Sequence, residues 1–374
     1  MTVTKDQVLE TLKAIELSDG GDIVARGMVS DIFIADGKVF FSITVPADKA
    51  EALEPLREAA ETAVSAIAGV KGAVVALTAE KRAGSGGSAA PPPRQPRPRA
   101  AAPAGEKPGV PGVGAIIAVA SGKGGVGKST TSVNLALGLM ANGLKVGILD
   151  ADIYGPSMPR LLGITGRPRA VSGRVLAPME GYGLKVMSMG FLVEEDTPMI
   201  WRGPMVISAL TQMLREVEWG ELDVLVVDMP PGTGDAQLTM AQQVPLAGAV
   251  IVSTPQDLAL IDARKGLNMF RKVEVPVLGL IENMSYFLCP DCGGRHDIFG
   301  HGGARREAER IGVPFLGEVP LQMAIRETSD AGTPVVASDP EGAEAKIYRD
   351  VAAKVWERVG EASAATRGPA IVFE

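Results

Sequence analysis

The stretch Ala115–Thr131, reading AIIAVASGKGGVGKSTT, constrains this chain more than any other. The apolar run Ala115–Ala120 predicts a strand, and the amphipathic segment opening at Lys128 and running through Leu144 predicts a helix. A glycine-rich turn between a strand and a helix is the setting a phosphate-binding loop requires. Gly122, Gly127, Lys128 and Ser129 fit G-x-x-x-x-G-K-[ST], whose small residues let successive backbone N–H groups turn toward a polyphosphate at a helix N-terminus. In that pattern Lys128 faces the β- and γ-phosphates and the Ser129 hydroxyl binds Mg²⁺. The bland alternative is a glycine-rich turn matching by chance, and the flanking strand and helix argue against it.

A chain of 374 residues that is 46% hydrophobic can bury a sizeable core, and an aromatic fraction of 4% makes that core mostly aliphatic. The 44 acidic residues outnumber 37 basic ones, which disfavours nucleic acid as a partner. The N-terminus, Met1–Asp6, lacks the apolar centre of a signal peptide, and no apolar run is long enough to span a bilayer. The expectation is a cytoplasmic protein with no membrane partner. Both cysteines, Cys289 and Cys292, lie in one C-x-x-C, which in a reducing compartment favours metal or redox chemistry over a structural disulfide.

Ahead of the phosphate loop, Val8, Leu9, Leu12 and Ile15 share one helical face. Two strand-like runs follow, Gly27–Ala35 and Lys38–Val45, separated by the hairpin signal Asp36-Gly37. A helix over Lys49–Ile67 and a strand over Val70–Thr78 complete an αββαβ unit, predicted as a small α+β domain over residues 1–82. Residues 83–112 turn to Gly, Ser, Ala, Pro and Arg and read as a semi-extended linker in which Arg94, Arg97 and Arg99 are solvated. A nucleotide-binding domain over 113–360 and a short mixed tail over 361–374 complete the division.

Within the large domain strand and helix alternate, predicting an α/β fold with a mainly parallel sheet covered by helices on both faces. Expected strands are Lys145–Leu149, Val224–Asp228, Ala249–Thr254, Val277–Ile281 and Pro314–Leu316. Expected helices are Val206–Glu216, Ala236–Gln243, Leu260–Lys272, Gly303–Ile311 and Glu341–Val359. Ligands in such sheets sit at the carboxyl ends of the strands. One strand there ends in Asp150-Ala151-Asp152 and another in Asp228-Met229-Pro230-Pro231-Gly232, so Asp228 fits the Walker B position of a Mg²⁺-holding carboxylate. The C-x-x-C allows several chemistries: a cluster or metal shared by two chains, a zinc site completed by His296 or His301, or a redox dithiol.

The early Lys123 in the loop resembles the deviant Walker A sequence of the family containing MinD, ParA and the nitrogenase iron protein. SGKGGVGKST, DADIYGPS, Trp201–Pro204, DMPPGTGD, STPQ, ENMS and CPDCGG together resemble, in order, the Mrp/ApbC iron–sulfur cluster carrier ATPases. The resemblance implies a P-loop NTPase fold and a homodimer. It further implies that Gly122, Lys123, Gly124, Gly125, Val126, Gly127, Lys128, Ser129 and Thr130 bind ATP and that Asn283 reads the adenine edge. By the same resemblance Lys123 is expected to act on the partner's nucleotide, Asp152 to orient the attacking water in switch I, and Gly232–Asp235 to form switch II. The resemblance makes Lys123, Lys128, Asp152 and Asp228 the expected catalytic set, with Mg²⁺ expected on Ser129 and Asp228. Cys289 and Cys292 are implied to carry a 4Fe-4S cluster from scaffold proteins to apo iron–sulfur clients. The N-terminal domain resembles the small iron–sulfur assembly domain often fused to such ATPases, without the cysteine that some relatives carry after the second strand. A MinD/ParA-like positioning ATPase and an ATP-gated electron donor are the alternatives.

Overall fold

The computed structural model describes residues 4–15, 22–26, 28–29, 32–35, 38–46, 54–67, 69–70, 72–80, 109–193 and 203–366. The chain divides into two compact units, Met1–Ala100 and Ala101–Glu374. The Asp36-Gly37 turn, Trp201 and Arg202, most of the linker, and the tail beyond Thr366 lie outside the described residues.

The first unit opens with α1 (Lys5–Lys13), whose N-terminus is closed by a capping box between Thr4 and Gln7. β1 (Phe33–Ala35) pairs antiparallel with β2 (Lys38–Pro46), and α2 (Glu54–Ser65) crosses over to β3 (Gly72–Glu80), parallel to β2. Val8 and Leu12, one turn apart on α1, pack with Val39, Phe41, Ile43, Ala60, Val64, Ala73 and Val75. The alternate residues of β2 face that core, the two-residue period expected of a strand covered on one side.

The second unit begins with β4 (Val113–Ala120), α3 (Lys128–Ala141), β5 (Val146–Asp150) and the short α4 (Met158–Leu161). Four small strands follow: β6 (Ala170–Ser172), β7 (Val175–Leu176), β8 (Met179–Gly181) and β9 (Leu184–Ser188). Next come α5 (Gly203–Arg215), β10 (Leu222–Asp228), α6 (Asp235–Gln243), β11 (Gly248–Ser253), α7 (Asp257–Lys272) and β12 (Val277–Asn283). A small ribbon, β13 (Phe287–Leu288) with β14 (Arg295–His296), precedes α8 (Gly303–Ile311), β15 (Phe315–Val319), α9 (Met323–Asp330), α10 (Val335–Ser338) and α11 (Ala343–Thr366).

Eight strands form one sheet in the order β15-β12-β11-β4-β10-β5-β9-β8. Its pairings are parallel except β8 with β9 at the edge. Along β4 the side chains alternate between two cores. Ile116, Ala118 and Ala120 pack with Leu210, Met213, Leu267 and Phe270 of α5 and α7, while Ile117 and Val119 pack with Leu135, Leu139, Tyr348 and Val355 of α3 and α11. Burial on both faces explains why this strand is an unbroken apolar run instead of an alternating one. The α/β fold read from the sequence is the one observed. The helix after the phosphate loop, α3, stops at Ala141 instead of Leu144, because Gly143 takes φ +96° and turns the chain. The small strands over 170–188 escape periodicity analysis: at two to five residues each they are too short to show a period.

Candidate nucleotide and cysteine site

β4 delivers the chain to Ser121, and α3 begins at Lys128 after a loop shaped by its glycines. Gly122 lies so close to α7 that a β-carbon there would stand 2.1 Å from the Asp262 carbonyl carbon and 2.3 Å from its oxygen. Gly125 and Gly127 take φ +79° and +78°, in the left-handed region that L side chains rarely occupy. A β-carbon on Gly124 or Gly125 would meet nothing within 4 Å, so the loop presents bare backbone on an open side. A cradle of this form suits phosphate oxygens. Val126 is buried, Lys123 is half-buried, and Ser121 Oγ donates to the Lys123 carbonyl at 2.9 Å.

β10 and β5 are adjacent and parallel, and their register sets Asp228 beside Asp150 at the strand ends. Both carboxylates are fully buried. Asp228 receives Lys128 Nζ at 2.7 Å and the hydroxyls of Ser129 and Ser132 at 2.6 Å each. Lys128, Ser129 and Asp228, chosen from the sequence, are therefore in direct contact. Thr130 follows half-buried in the first turn of α3, where its carbonyl accepts from Asn134.

Asp150 accepts the backbone N–H groups of Asp152, Ser157 and Met158 and the Ser188 hydroxyl. One buried carboxylate thus ties down the whole segment carrying Asp152. Burial, then the Asp228 charge, push the Asp150 carboxyl up to about 7 against these donors. Asp152 is raised too, chiefly by burial, with Lys128 opposing and Asp228 reinforcing. It lies half-buried at the mouth and accepts the Gly155 N–H at 3.3 Å. Across the site, Gly232 N–H donates to the Ser121 carbonyl at 3.0 Å and Gln237 Nε2 to the Pro230 carbonyl, joining the loop after β10 to the phosphate loop and to α6. The sequence alone assigns no role to Ser132 or Gln237, and marks Asp150 only as an aspartate at a strand end near the phosphate loop. Ser132 was within reach, since it lies one helical turn after Ser129.

Asn283 ends β12 on the other flank of β4, and its Nδ2 donates to the Val126 carbonyl at 2.8 Å. It lies so close to Gly127 that a β-carbon there would come within 2.2 Å of the same amide. Beyond it Met284 adopts φ +56°, and the chain runs into the β13–β14 ribbon. The tip of the ribbon carries the cysteines. Cys289 N–H donates to the Gly294 carbonyl and Gly293 N–H to the Cys289 carbonyl, each at 2.9 Å. Cys292 is exposed and Cys289 partly so. The backbone N–H groups of Cys292 and Asp291, then the Cys292 side chain, lower the Cys289 thiol toward the thiolate that binds metal.

Among the described residues, one group of three potential ligands has its atoms within 4.8 Å of one another: Glu282, His301 and Glu318. That group already holds a cation from the protein. Arg295 Nη2 lies 2.7 Å from His301 Nδ1 and 3.9 Å from Glu318, and Arg305 reaches Glu318 at 3.3 Å. Among the described residues the two thiols are not part of that group; Cys292 Sγ and His296 Nε2 both lie beside Gly294, where a β-carbon would stand 3.2 and 3.5 Å from them.

Residues 112–356 match the family described as NUBPL iron-transfer P-loop NTPase. The chain belongs to that family. Residues 5–76 match a second family, described as iron–sulfur cluster assembly protein. An iron–sulfur cluster transfer protein NUBPL of Dictyostelium discoideum is 55% identical over 245 residues, covering 65% of this chain and 76% of the relative. An iron–sulfur cluster carrier protein of Escherichia coli is 58% identical over 240 residues, covering 64% of this chain and 65% of that one. Among solved structures, a nucleotide-binding protein in complex with ADP from Archaeoglobus fulgidus is 43% identical with a TM-score of 0.54, over 62% of this chain and 90% of that one. The cell division ATPase MinD of Pyrococcus furiosus shares the fold, with a TM-score of 0.51 at 23% identity over 65% of this chain and 99% of that one. Among the described residues, no helix is long and apolar enough to cross a membrane.

Proposed function

We propose that this protein is an ATP-hydrolysing iron–sulfur cluster carrier of the cytoplasm, which holds a 4Fe-4S cluster between two copies of the chain and passes it to apo-proteins. The observation that carries the proposal is the continuity of one strand end: Asn283 touches the phosphate loop, and six residues later the same backbone presents Cys289. The names of these relatives and the family match support the same reading. Each copy offers two thiolates, and a 4Fe-4S cluster commonly takes four, so two copies supply a full set.

At the nucleotide, the backbone from Gly122 to Thr130 cradles the phosphates, and Lys128 turns from Asp228 to the β- and γ-oxygens. Ser129 Oγ and Asp228 Oδ2, 2.6 Å apart, make an oxygen donor set suited to Mg²⁺. That ion, when bound, neutralises charge on the β- and γ-oxygens. Asp152 orients the water that attacks the γ-phosphorus, Lys123 reaches the partner's nucleotide, and Asn283 contacts the base.

Anaerobic reconstitution with iron and sulfide analysis and an absorption spectrum tests the reading. About four irons and four sulfides per dimer are expected. Cys289→Ser and Cys292→Ser are expected to lose the cluster and its delivery to an apo-acceptor while still binding ATP. Bound zinc without sulfide, or a double cysteine variant that still carries and delivers a cluster, would overturn it.

A further inference from the structure

Glu282 is a fully buried carboxylate that neither the phosphate chemistry nor the thiols use. It stands immediately before Asn283, and its two oxygens close a circle in the chain. Oε1 accepts the Ser285 hydroxyl at 2.6 Å and the Gly302 N–H at 3.2 Å, and Oε2 accepts the Ala304 N–H at 2.6 Å. Ser285 is where the chain leaves the sheet toward the cysteine ribbon, and Gly302 to Ala304 is where it returns into α8. Everything between them, Cys289 and Cys292 included, hangs from a neck whose two sides this one side chain bonds together, the outgoing side being held also by Ser285 N–H on the Val319 carbonyl at 3.0 Å.

Two further contacts set the ribbon on the same neck. Arg295, three residues after Cys292, stacks on the Tyr286 ring at 4.1 Å and bonds His301 Nδ1 at 2.7 Å. Leu321 N–H holds the Tyr286 carbonyl at 2.7 Å. On the other side of Glu282, Asn283 Nδ2 is bonded to the Val126 carbonyl of the phosphate loop. A shift of that loop therefore reaches Asn283, and the next residue back holds both ends of the thiol-bearing excursion.

From this juxtaposition we infer that Glu282 is the positioning residue that couples the phosphate loop to the cysteine ribbon, by clamping the segments that lead into and out of the ribbon beside Asn283. The inference deepens the carrier reading, since it names the link between its two sites. A bidentate carboxylate suits the task because its two acceptor oxygens take three donors from separate segments without bringing a donor of its own. Glutamine in its place keeps the volume but must turn an amide NH₂ toward either the Ala304 N–H or the Ser285 and Gly302 donors. A hydroxyl can rotate to accept; a backbone N–H cannot.

The test is hydrogen exchange read by mass spectrometry on the full apo chain with and without Mg·ADP. In the wild type, ADP is expected to slow exchange both in the phosphate loop and in residues 286–301. In Glu282→Gln the phosphate loop is expected to respond as before, with ADP affinity retained. The ribbon should exchange about fivefold faster, the factor one net hydrogen bond supplies, and should no longer respond to ADP. Ser285→Ala, which keeps the carboxylate and both α8 bonds, should change the ribbon in the same direction by less, and it carries the test if the glutamine variant does not fold. A merely structural Glu282 would raise basal exchange yet leave the ADP response in place. That result, a wild-type ribbon indifferent to ADP, or loss of ADP binding in Glu282→Gln would overturn the inference. The measurement needs no cluster, so failure of iron and sulfide to bind would sink the carrier reading without touching this one.

Discussion

Replacing Lys128 with methionine separates what this residue does for the fold from what it does for the nucleotide. Its side chain is 6% exposed and its ammonium lies 2.7 Å from Asp228, which is fully buried beside a second buried carboxylate, Asp150. Removing one partner of a buried ion pair costs about 3–5 kcal/mol, because the remaining charge is left without its counterion. Here the lower end of that range applies, since Asp228 keeps the Ser129 and Ser132 hydroxyls at 2.6 Å. A loss of about 3 kcal/mol lowers the melting temperature of a domain this size by about 6–12 °C. Asp228→Asn alone should also destabilise, by stranding the ammonium. The double variant, with neither charge, should return to within about 1 kcal/mol of the wild type, as uncharged replacements of buried pairs commonly do. Thermal scans of the four proteins give the coupling energy, and titration with a fluorescent ATP analogue gives the affinity. Stability should recover in the double variant while nucleotide binding stays lost. A coupling energy near zero would refute the reasoning, as would a Lys128→Met protein that melts with the wild type.

Asp152→Asn should retain nucleotide and slow turnover by about 10²-fold or more, the loss typical of a group that positions the reacting water; equal loss of affinity would contradict that role. Lys123→Ala and Asp152→Asn chains, each strongly slowed alone, should regain ATPase activity when mixed and shown to exchange subunits, since one composite site in the heterodimer is intact; no recovery in a verified heterodimer would argue against Lys123 acting in trans. Gly122→Ala should destabilise by about 1–3 kcal/mol in a thermal scan and weaken nucleotide binding, because its β-carbon would stand 2.1 Å from α7 backbone, whereas Gly124→Ala, with nothing within 4 Å, should leave stability unchanged.

The parts of this site that were legible in the sequence are those in which local chemistry and local structure coincide. A strand, a glycine-rich turn and a helix-opening Lys-Ser can be read together, because the residues that touch are neighbours in the chain. Asp228 was legible for a different reason: an aspartate ending an unbroken apolar strand has few places to go except the edge where ligands bind. Asp150 shows where such reading stops. Its four donors come from residues two to 38 positions away, and only the pairing of β5 with β9 brings Ser188 alongside. Glu282 was invisible in the same way, since the Gly302 and Ala304 N–H groups it accepts are exposed by the start of a helix 20 residues on. Ser285 alone, three residues away, could have hinted at it.

The parallel sheet explains why a phosphate site and a thiol pair share one edge. Parallel strands bring their carboxyl ends to the same side, so β4, β5, β10 and β12 deliver the phosphate loop, Asp150, Asp228 and Asn283 to one rim without any long excursion of the backbone. A segment inserted after β12 must emerge at that rim, next to the loop Asn283 already touches. The insertion need not be large: residues 286–301 suffice, because Glu282 fixes both its ends and Arg295 ties its second strand to the end of β15 through His301 and Glu318. The same rim carries Lys123. Under the proposed carrier reading, two copies meeting there about a twofold axis would bring Lys123 to the partner's nucleotide and the thiols to the partner's thiols in one docking event. The topology thus puts the two sites within reach of each other, and the proposed role of Glu282 is to set how stiffly a shift in one is passed to the other.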